Sequence, residues 1–189
     1  MAPPRVWIVS SSIIRRLHSY ICEQRLDENL DLRCEITWDG RGGRLWEQLL
    51  PALRSLRARA PAPDILIIHL GGNSLCQEGR DRLGFLREIT RDLGTCFEMF
   101  PSTRFVFSHI LPRLYWRGQT GRSGYGVERG RRWINGKVAG FLAERQMRCI
   151  RQRNNCTSHR CRDGVHLSTE GNQLLLSNLR EALRVELQS

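Results

Sequence analysis

The chain has 189 residues, 40% of them hydrophobic and 26% charged, which suits one folded domain over residues 1–189 and excludes extended disorder. No apolar run approaches the roughly 20 residues that cross a membrane, and the first residues show no secretory signal. The formal net charge is +11, and Lys137 is the only lysine among the 30 basic residues, so the composition favours an acidic partner such as nucleic acid.

Short apolar runs alternate with segments of helical periodicity along the chain. The predicted strands, in chain order, are Val6–Val9, Leu32–Thr37, Asp64–Leu70, Arg104–Ile110 and Arg148–Ile150. The predicted helices between and after them are Ile13–Ile21, Leu45–Leu56, Arg80–Phe97, Val127–Met147 and Thr169–Leu187. This alternation is typical of βαβ units, so the predicted fold is α/β: a three-layer α/β/α, flavodoxin-like parallel sheet of about five strands.

The seven cysteines are odd in number and irregularly spaced. Without a visible signal peptide, this pattern favours free thiols in a reducing compartment, and we expect a cytoplasmic protein. One stretch holds a metal-like set of side chains: Cys149, Cys156, His159 and Cys161. It lacks the paired short Cys-x-x-Cys hooks of structural zinc sites, so no metal and no other cofactor is predicted.

Polar and glycine residues follow the predicted strands where each strand ends. Three serines, Ser10 to Ser12, follow the first strand, glycines at 40–43 follow the second, and Gly71-Gly72-Asn73 follows the third. Asp163-Gly164-Val165-His166 precedes the last helix. Ligands of open parallel sheets bind at the carboxyl ends of the strands, so these residues should converge. Together they are the parts of acyl transfer: a nucleophile, oxyanion donors, and a base with its orienting carboxylate.

In this order the motifs resemble those of the SGNH/GDSL hydrolase superfamily of esterases and acetylhydrolases. The resemblance implies Ser12 as the nucleophile, His166 as the base and Asp163 as its partner. It also implies an oxyanion hole made by the Ser12 amide and three further residues: Gly42, Gly43 (one or the other) and Asn73. The expected activity is hydrolysis of short-chain, acetyl-type carboxylic esters.

The first motif departs from the superfamily's Gly-Asp-Ser, because Ser10 and Ser11 replace the glycine and the aspartate. This departure keeps the nucleophile but puts the strength of catalysis in question. The segments VWIV-x-SS, HLGGN, SHILPR-x-x-WRG and DGVHLS also resemble the esterase-like domains encoded by vertebrate retrotransposons. A second hypothesis therefore stays open: a weak or inactive SGNH-like interaction module that binds RNA or self-associates within a transposon-encoded protein.

The segment from Pro112 to Gly126 is predicted as a long loop that reaches over the site. Trp116 is the candidate to cover a short acyl chain or a lipid-like substrate, and Arg117 to hold an acidic head group. A solvated loop is the alternative. The densest run of arginines lies in and after this loop, and either binds RNA or anionic head groups or is merely solvated: Arg113, Arg117, Arg122, Arg129, Arg131 and Arg132.

Overall fold

A computed structural model describes residues 2–116, 124–152 and 157–188 of the chain. Within these ranges, five parallel strands form one sheet in the order β2-β1-β3-β4-β5. The strands are Arg5–Ser10 (β1), Glu35–Gly40 (β2), Ile65–His69 (β3), Arg104–Ser108 (β4) and Arg148–Ile150 (β5). This strand order is that of flavodoxin-like folds, so the predicted sheet is confirmed.

In the described ranges five α-helices flank the sheet, and the first four make the crossovers that parallel strands require. The five helices are Ser12–Glu23 (α1), Leu49–Arg57 (α2), Arg82–Met99 (α3), Gly124–Ala143 (α4) and Thr169–Gln188 (α5). Short 3₁₀ turns lie at Trp46–Gln48, Ser74–Cys76 and Thr157–His159. None of the helices in the described ranges is both long and apolar enough to span a bilayer.

Each face of the sheet carries its own apolar core. Because successive side chains of a strand point to opposite faces, Val6 and Ile8 of β1 pack with α1 and α5, while Trp7 and Val9 pack with α2, α3 and α4. Every residue of β3 is buried, as expected for a central strand that is covered on both faces. The two cores confirm the three-layer α/β/α architecture.

The second strand begins three residues later than predicted. The chain instead turns through Leu30 and Asp31, which have φ of 59° and 56°, and the Asn29 side chain accepts a hydrogen bond from the Ile36 amide at 3.0 Å. The edge position of β2 leaves its residues half-buried or exposed, so its apolar pattern is weak. The prediction of a strand over Leu32–Thr37 was therefore wrong in its bounds.

Two helices differ from their predicted bounds by four residues at one end. The helix predicted from Leu45 begins at Leu49, because Pro51 has no N–H and its ring would collide with the carbonyl of residue 47 in a longer helix. At the end of α4, Gln146 has φ of 58° and the Met147 amide donates to the Leu142 carbonyl at 2.9 Å. This left-handed turn ends α4 at Ala143, before the predicted Met147.

Candidate active site

The strand order changes direction between β1 and β3, and the crevice of an open α/β sheet lies at such a point. Ser12 is the first residue of α1, immediately after this edge of the sheet. Ser11 is the N-cap residue with extended backbone, φ −95° and ψ −155°, and its side chain makes no capping hydrogen bond. The amides of the first turn, including that of Ser12, have no intrahelical acceptor and lie at the positive end of α1.

Three side chains form a continuous hydrogen-bonded row at this crevice. His166 Nε2 lies 3.0 Å from Ser12 Oγ, and His166 Nδ1 lies 2.5 Å from Asp163 Oδ2. The other carboxylate oxygen of Asp163 accepts hydrogen bonds from the amides of Val165 and His166, both at 2.9 Å. Burial acts against the charge of Asp163, but the His166 ring and the two amides outweigh it and lower the pKa of the carboxyl. Asp163 is therefore a carboxylate at neutral pH.

The loop that carries Asp163 and His166 docks on the segment after β4. Gly164 has φ of +66°, and a Cβ there would collide with the ring of Tyr115. The Leu114 amide donates to the Gly164 carbonyl at 2.8 Å, and the Arg160 guanidinium donates to the Pro112 carbonyl at 2.6 Å. These contacts fix the position of the His166 ring relative to the sheet.

The turn after β2 presents two glycine amides. The Arg41 amide donates to the Ser10 carbonyl at 3.1 Å, and the Arg44 amide donates to Arg41 at 3.3 Å, which leaves Gly42 and Gly43 in the middle of the turn. Among the described residues neither glycine amide has a hydrogen-bond partner. The predicted donors are thus available to a ligand at this edge.

Asn73 is held from both ends of its side-chain amide. Its Nδ2 donates to the Arg44 carbonyl at 3.1 Å, and its Oδ1 accepts from Arg113 Nη2 at 2.9 Å. An amide nitrogen carries two hydrogens, so the second one can serve another acceptor. The contact with Arg113 also fixes which end of the amide is the donor, because a guanidinium only donates.

No family model matches the chain, and no curated protein matches it in sequence. Solved structures match almost its full length. A GDSL-like lipase from Bacteroides thetaiotaomicron has a TM-score of 0.71 at 14% identity, covering 96% of this chain and 88% of its own. A member of the lipolytic G-D-S-L family from Veillonella parvula has 0.71 at 14%, covering 95% and 98%. A family 3 carbohydrate esterase from Talaromyces cellulolyticus has 0.68 at 14%, covering 98% of both chains. The fold is that of the GDSL-type hydrolases.

Of the two predicted substrate residues, Trp116 lies within the described part of the chain. Trp116 is only 7% exposed and packs in the core beside α2, α3 and α4, with the Arg113 guanidinium 5.2 Å above its ring. Arg117 lies outside the described residues. The exposed aromatic side chain next to the Asp163–His166 loop is Tyr115, which is 62% exposed.

The crevice is braced by buried arginines whose contacts were not predicted from the sequence. Arg44, which is 5% exposed, donates to the carbonyls of Ser10 and Asp39 at 3.0 and 2.8 Å. Arg113 and Arg160 are also buried. The chain has 30 basic residues, and the neighbouring sequence does not distinguish an arginine that becomes buried from one that stays in solvent.

His69, the last residue of β3, is a buried histidine. His69 Nδ1 lies 2.8 Å from Ser108 Oγ, and its carbonyl accepts from Ser10 Oγ at 2.5 Å. Burial, with Arg160, Arg113 and His109 nearby, lowers the pKa of His69 to about 3. The ring is therefore neutral and ties β3 to β4 beneath the crevice.

Of the metal-like set near the end of the chain, Cys156 lies outside the described residues. Each cysteine that the structure does describe is a free thiol.

Proposed function

We propose that the chain is a serine esterase of the SGNH/GDSL superfamily that hydrolyses short-chain, acetyl-type carboxylic esters. The observation that carries the proposal is the row Ser12 Oγ, His166, Asp163, with separations of 3.0 and 2.5 Å. A nucleophile, a base and an orienting carboxylate in this geometry are the parts of a serine hydrolase. The likeness to lipases and carbohydrate esterases agrees with ester substrates.

The reaction follows from the positions of these side chains. His166 Nε2 accepts the hydroxyl proton as Ser12 Oγ attacks the ester carbonyl carbon. The tetrahedral intermediate collapses, the C–O bond to the alcohol breaks, and the alcohol leaves with the proton from His166. A water molecule then gives a proton to His166 and attacks the acyl-serine. The second tetrahedral intermediate collapses, His166 returns the proton to Ser12 Oγ, and the carboxylic acid is released. Asp163 accepts the Nδ1–H throughout and keeps Nε2 free to act as the base.

The oxyanion is stabilised by donors from three loops. These are the Ser12 amide at the positive end of α1, the amide of Gly42 or Gly43, and the Nδ2 of Asn73. Removal of one such donor typically lowers the rate by about 10²–10³. Asn73→Ala should therefore lower kcat within that range.

The loss of the usual aspartate is offset by arginine contacts. Ser10 and Ser11 stand where the superfamily has glycine and aspartate, and Arg44 and Arg113 tie the surrounding loops to Ser10 and Asn73. We attribute the rigidity of the oxyanion loops to this network.

Tyr115 and Leu114 are 62% and 48% exposed, so we place them at the open side of the site. The acyl group is expected to be short. Trp116 is proposed to support this wall from beneath, and Arg117 to contact a negatively charged substrate group.

The test is hydrolysis of p-nitrophenyl acetate against longer acyl esters. Ser12→Ala should lower kcat/KM by at least about 10³ with an unchanged circular dichroism spectrum, because a half-buried serine at the start of a helix contributes little packing. The matched control is Ser11→Ala, the adjacent serine, which should keep turnover. Equal activity of Ser12→Ala and the parent chain would refute the proposal, and a loss confined to Ser11→Ala would move the nucleophile by one residue.

A second candidate follows from the charge of +11 and the serine in place of the aspartate. In this alternative, the chain is a cytoplasmic, single-domain SGNH-like module of a retrotransposon-encoded protein, and it binds RNA or self-associates. It predicts no turnover by the parent chain together with RNA binding at physiological salt.

A further inference from the structure

We propose that His18, Cys22 and Glu28 form a surface binding site for a divalent transition metal of the zinc type. In the described part of the chain these three side chains bring one nitrogen, one sulfur and one oxygen atom within 4.8 Å of one another. They lie in the second half of α1 and the turn after it, whereas Ser12 is the first residue of α1, so the site is separate from the proposed esterase chemistry.

The spacing along the chain explains how the ligands meet. His18 and Cys22 are four residues apart on α1, which places them on one face of the helix, one turn apart. Glu28 comes from the turn that follows α1, and its Oε2 lies 2.6 Å from His18 Nε2. The helix therefore supplies two ligands and the chain reversal after it supplies the third.

Neighbouring contacts hold the His18 ring and the backbone of Glu28 in place before any metal binds. The indole of Trp38 stacks on the His18 ring at 5.3 Å between centroids with the planes 9° apart. The same indole donates Nε1–H to the Glu28 carbonyl at 3.0 Å. Asp27 caps the turn by accepting from the amides of Asn29 and Asp31 at 3.0 and 2.9 Å. Such outer contacts orient metal ligands in natural sites.

The donor set selects the class of metal. Bonds of about 2.0–2.3 Å to imidazole, thiolate and carboxylate describe zinc, and small side-chain rotations would open the His18–Glu28 contact to admit it. Mg²⁺ and Ca²⁺ prefer all-oxygen sites, so thiolate and imidazole disfavour them. A thiolate and a carboxylate balance the two positive charges of the ion. On binding, the Cys22 thiol gives its proton to the solvent and the sulfur bonds to the metal.

The exposure of the ligands leaves one coordination position for water. Cys22 and Glu28 are exposed and His18 is half-buried, so the ion would sit at the surface with three protein ligands. The site lies about 9–15 Å along the helix axis from Ser12, as the rise per residue gives. Metal should therefore stabilise α1 and the following turn, and should not be needed for turnover.

The test is titration of the metal-free chain with Co²⁺ and then Zn²⁺. Co²⁺ should bind one to one with a dissociation constant in the micromolar range or tighter, with the charge-transfer absorption of a cobalt–thiolate bond, and Zn²⁺ should displace it. Cys22→Ala should remove this absorption, and His18→Ala should weaken binding at least tenfold. The matched control is Glu23→Ala, an exposed acid next to Cys22 but outside the ligand set, which should bind as the parent chain does.

Two results would overturn the inference. One is no cobalt–thiolate absorption in the parent chain at about 100 μM metal, which would leave His18 and Glu28 as an ion pair only. The other is absorption that survives Cys22→Ala, which would place the metal on another thiol. Ester turnover serves as a separate readout. It should be unchanged in Cys22→Ala and in His18→Ala, so failure of the metal site and failure of the esterase are distinguishable.

Discussion

Arg113 connects the segment after β4 to Asn73, the proposed oxyanion donor. Its guanidinium donates to Asn73 Oδ1 at 2.9 Å and lies over the Trp116 ring, so both its charge and its flat shape are used. A lysine would keep the positive charge, but it has no flat guanidinium group to lie over the Trp116 ring while donating to Asn73. Arg113 is thus a positioning residue that acts through Asn73.

Arg113→Lys should lower kcat for acetyl esters by about 10-fold or more while KM changes little, because an oxyanion donor acts mainly in the transition state. The effect should be absent in an Asn73→Ala background, and this double-mutant cycle is the measurement. The control is Arg129→Lys, since Arg129 is exposed on α4. Fully additive losses in the cycle would show that Arg113 does not act through Asn73.

At the scale of an element, the loop over residues 160–167 depends on Gly164. Its φ of +66° is left-handed and its α-carbon lies against the Tyr115 ring, so a side chain there meets both backbone strain and a collision. Gly79 is a natural comparison, because its φ of +69° is similar but a Cβ there would have nothing within 4 Å.

Gly164→Ala should lower the free energy of unfolding by about 2–4 kcal/mol and also reduce ester turnover, whereas Gly79→Ala should cost only about 1 kcal/mol. Urea denaturation measures both. Adding Tyr115→Ala to Gly164→Ala should restore part of the lost stability by removing the collision. Equal losses for the two glycine variants would mean that the contact with Tyr115 is not tight.

The sequence predicted the central strands well and one edge strand poorly. The apolar run around Ile65 was placed correctly within a residue, because buried strands carry apolar side chains at nearly every position. The three-residue edge strand β5 at Arg148–Ile150 was also placed correctly, although only Ile150 of it is buried. The half-buried β2 carries a weaker pattern, and a turn fixed by Asn29 shifted it by three residues. Backbone turns of this kind depend on single side-chain contacts that periodicity does not report.

For the candidate site, the Asp163–His166 contact follows from a spacing of three residues. The approach of Ser12 to His166 spans 154 residues and was expected because a parallel sheet brings the residues at its carboxyl edge together, and the resemblance to a known superfamily gave the pair its roles. The bracing by Arg44, Arg113 and Arg160 was not predicted, because their acceptors are mostly carbonyl and amide oxygens that become neighbours only in the folded chain. The placement of Trp116 in the core likewise depends on tertiary packing.

For the whole molecule, two histidines couple stability to pH. Burial and nearby cations lower the pKa of His69 to about 3 and that of His109 to about 4, against about 6.5 in an unfolded chain. As the pH falls below 6.5, both histidines bind protons in the unfolded chain but not in the folded chain. Their contribution to stability is therefore complete above pH 6.5 and is lost progressively toward pH 3–4.

We expect the free energy of unfolding to fall between pH 7 and pH 4, with His69 contributing roughly 3 kcal/mol of that fall. His69→Asn keeps a partner for Ser108 but cannot take up the proton, so its stability should depend less steeply on pH over this interval. Urea midpoints at several pH values measure the slope. An unchanged slope in His69→Asn would contradict the assignment, and above pH 7 the two proteins should run in parallel.

Some of the arginines that give the net charge of +11 make contacts within the protein itself. Arg131 donates to the Ile110 carbonyl at 2.7 Å and pairs with Glu128, and Arg113 is buried, so neither is a freely available phosphate ligand. Arg129 and Arg132 are exposed on α4, although Arg132 also pairs with Glu128. Arg117 and Arg122 lie outside the described residues.

Single-stranded RNA should therefore bind at low salt and be released near physiological salt, because few contacts with phosphate survive counterion competition. Titrations at about 20 and about 150 mM salt measure this. Micromolar binding at the higher salt would contradict the expectation. If it weakened in Arg129→Glu/Arg132→Glu but not in Ser12→Ala, RNA binding would be a second activity of the chain.

The distance in sequence between Ser12 and His166 has a consequence for how the protein is made. A ribosome finishes Ser12 while 154 residues that end in the histidine are still to be added, so the proposed esterase needs a chain that already extends to His166. The same holds during refolding, because Ser12 and His166 meet only when the loop at 160–167 has docked beside α1. We therefore expect ester turnover to recover later than the helical circular dichroism signal during refolding. The delay between the two measures how long the loop at 160–167 takes to dock beside Ser12.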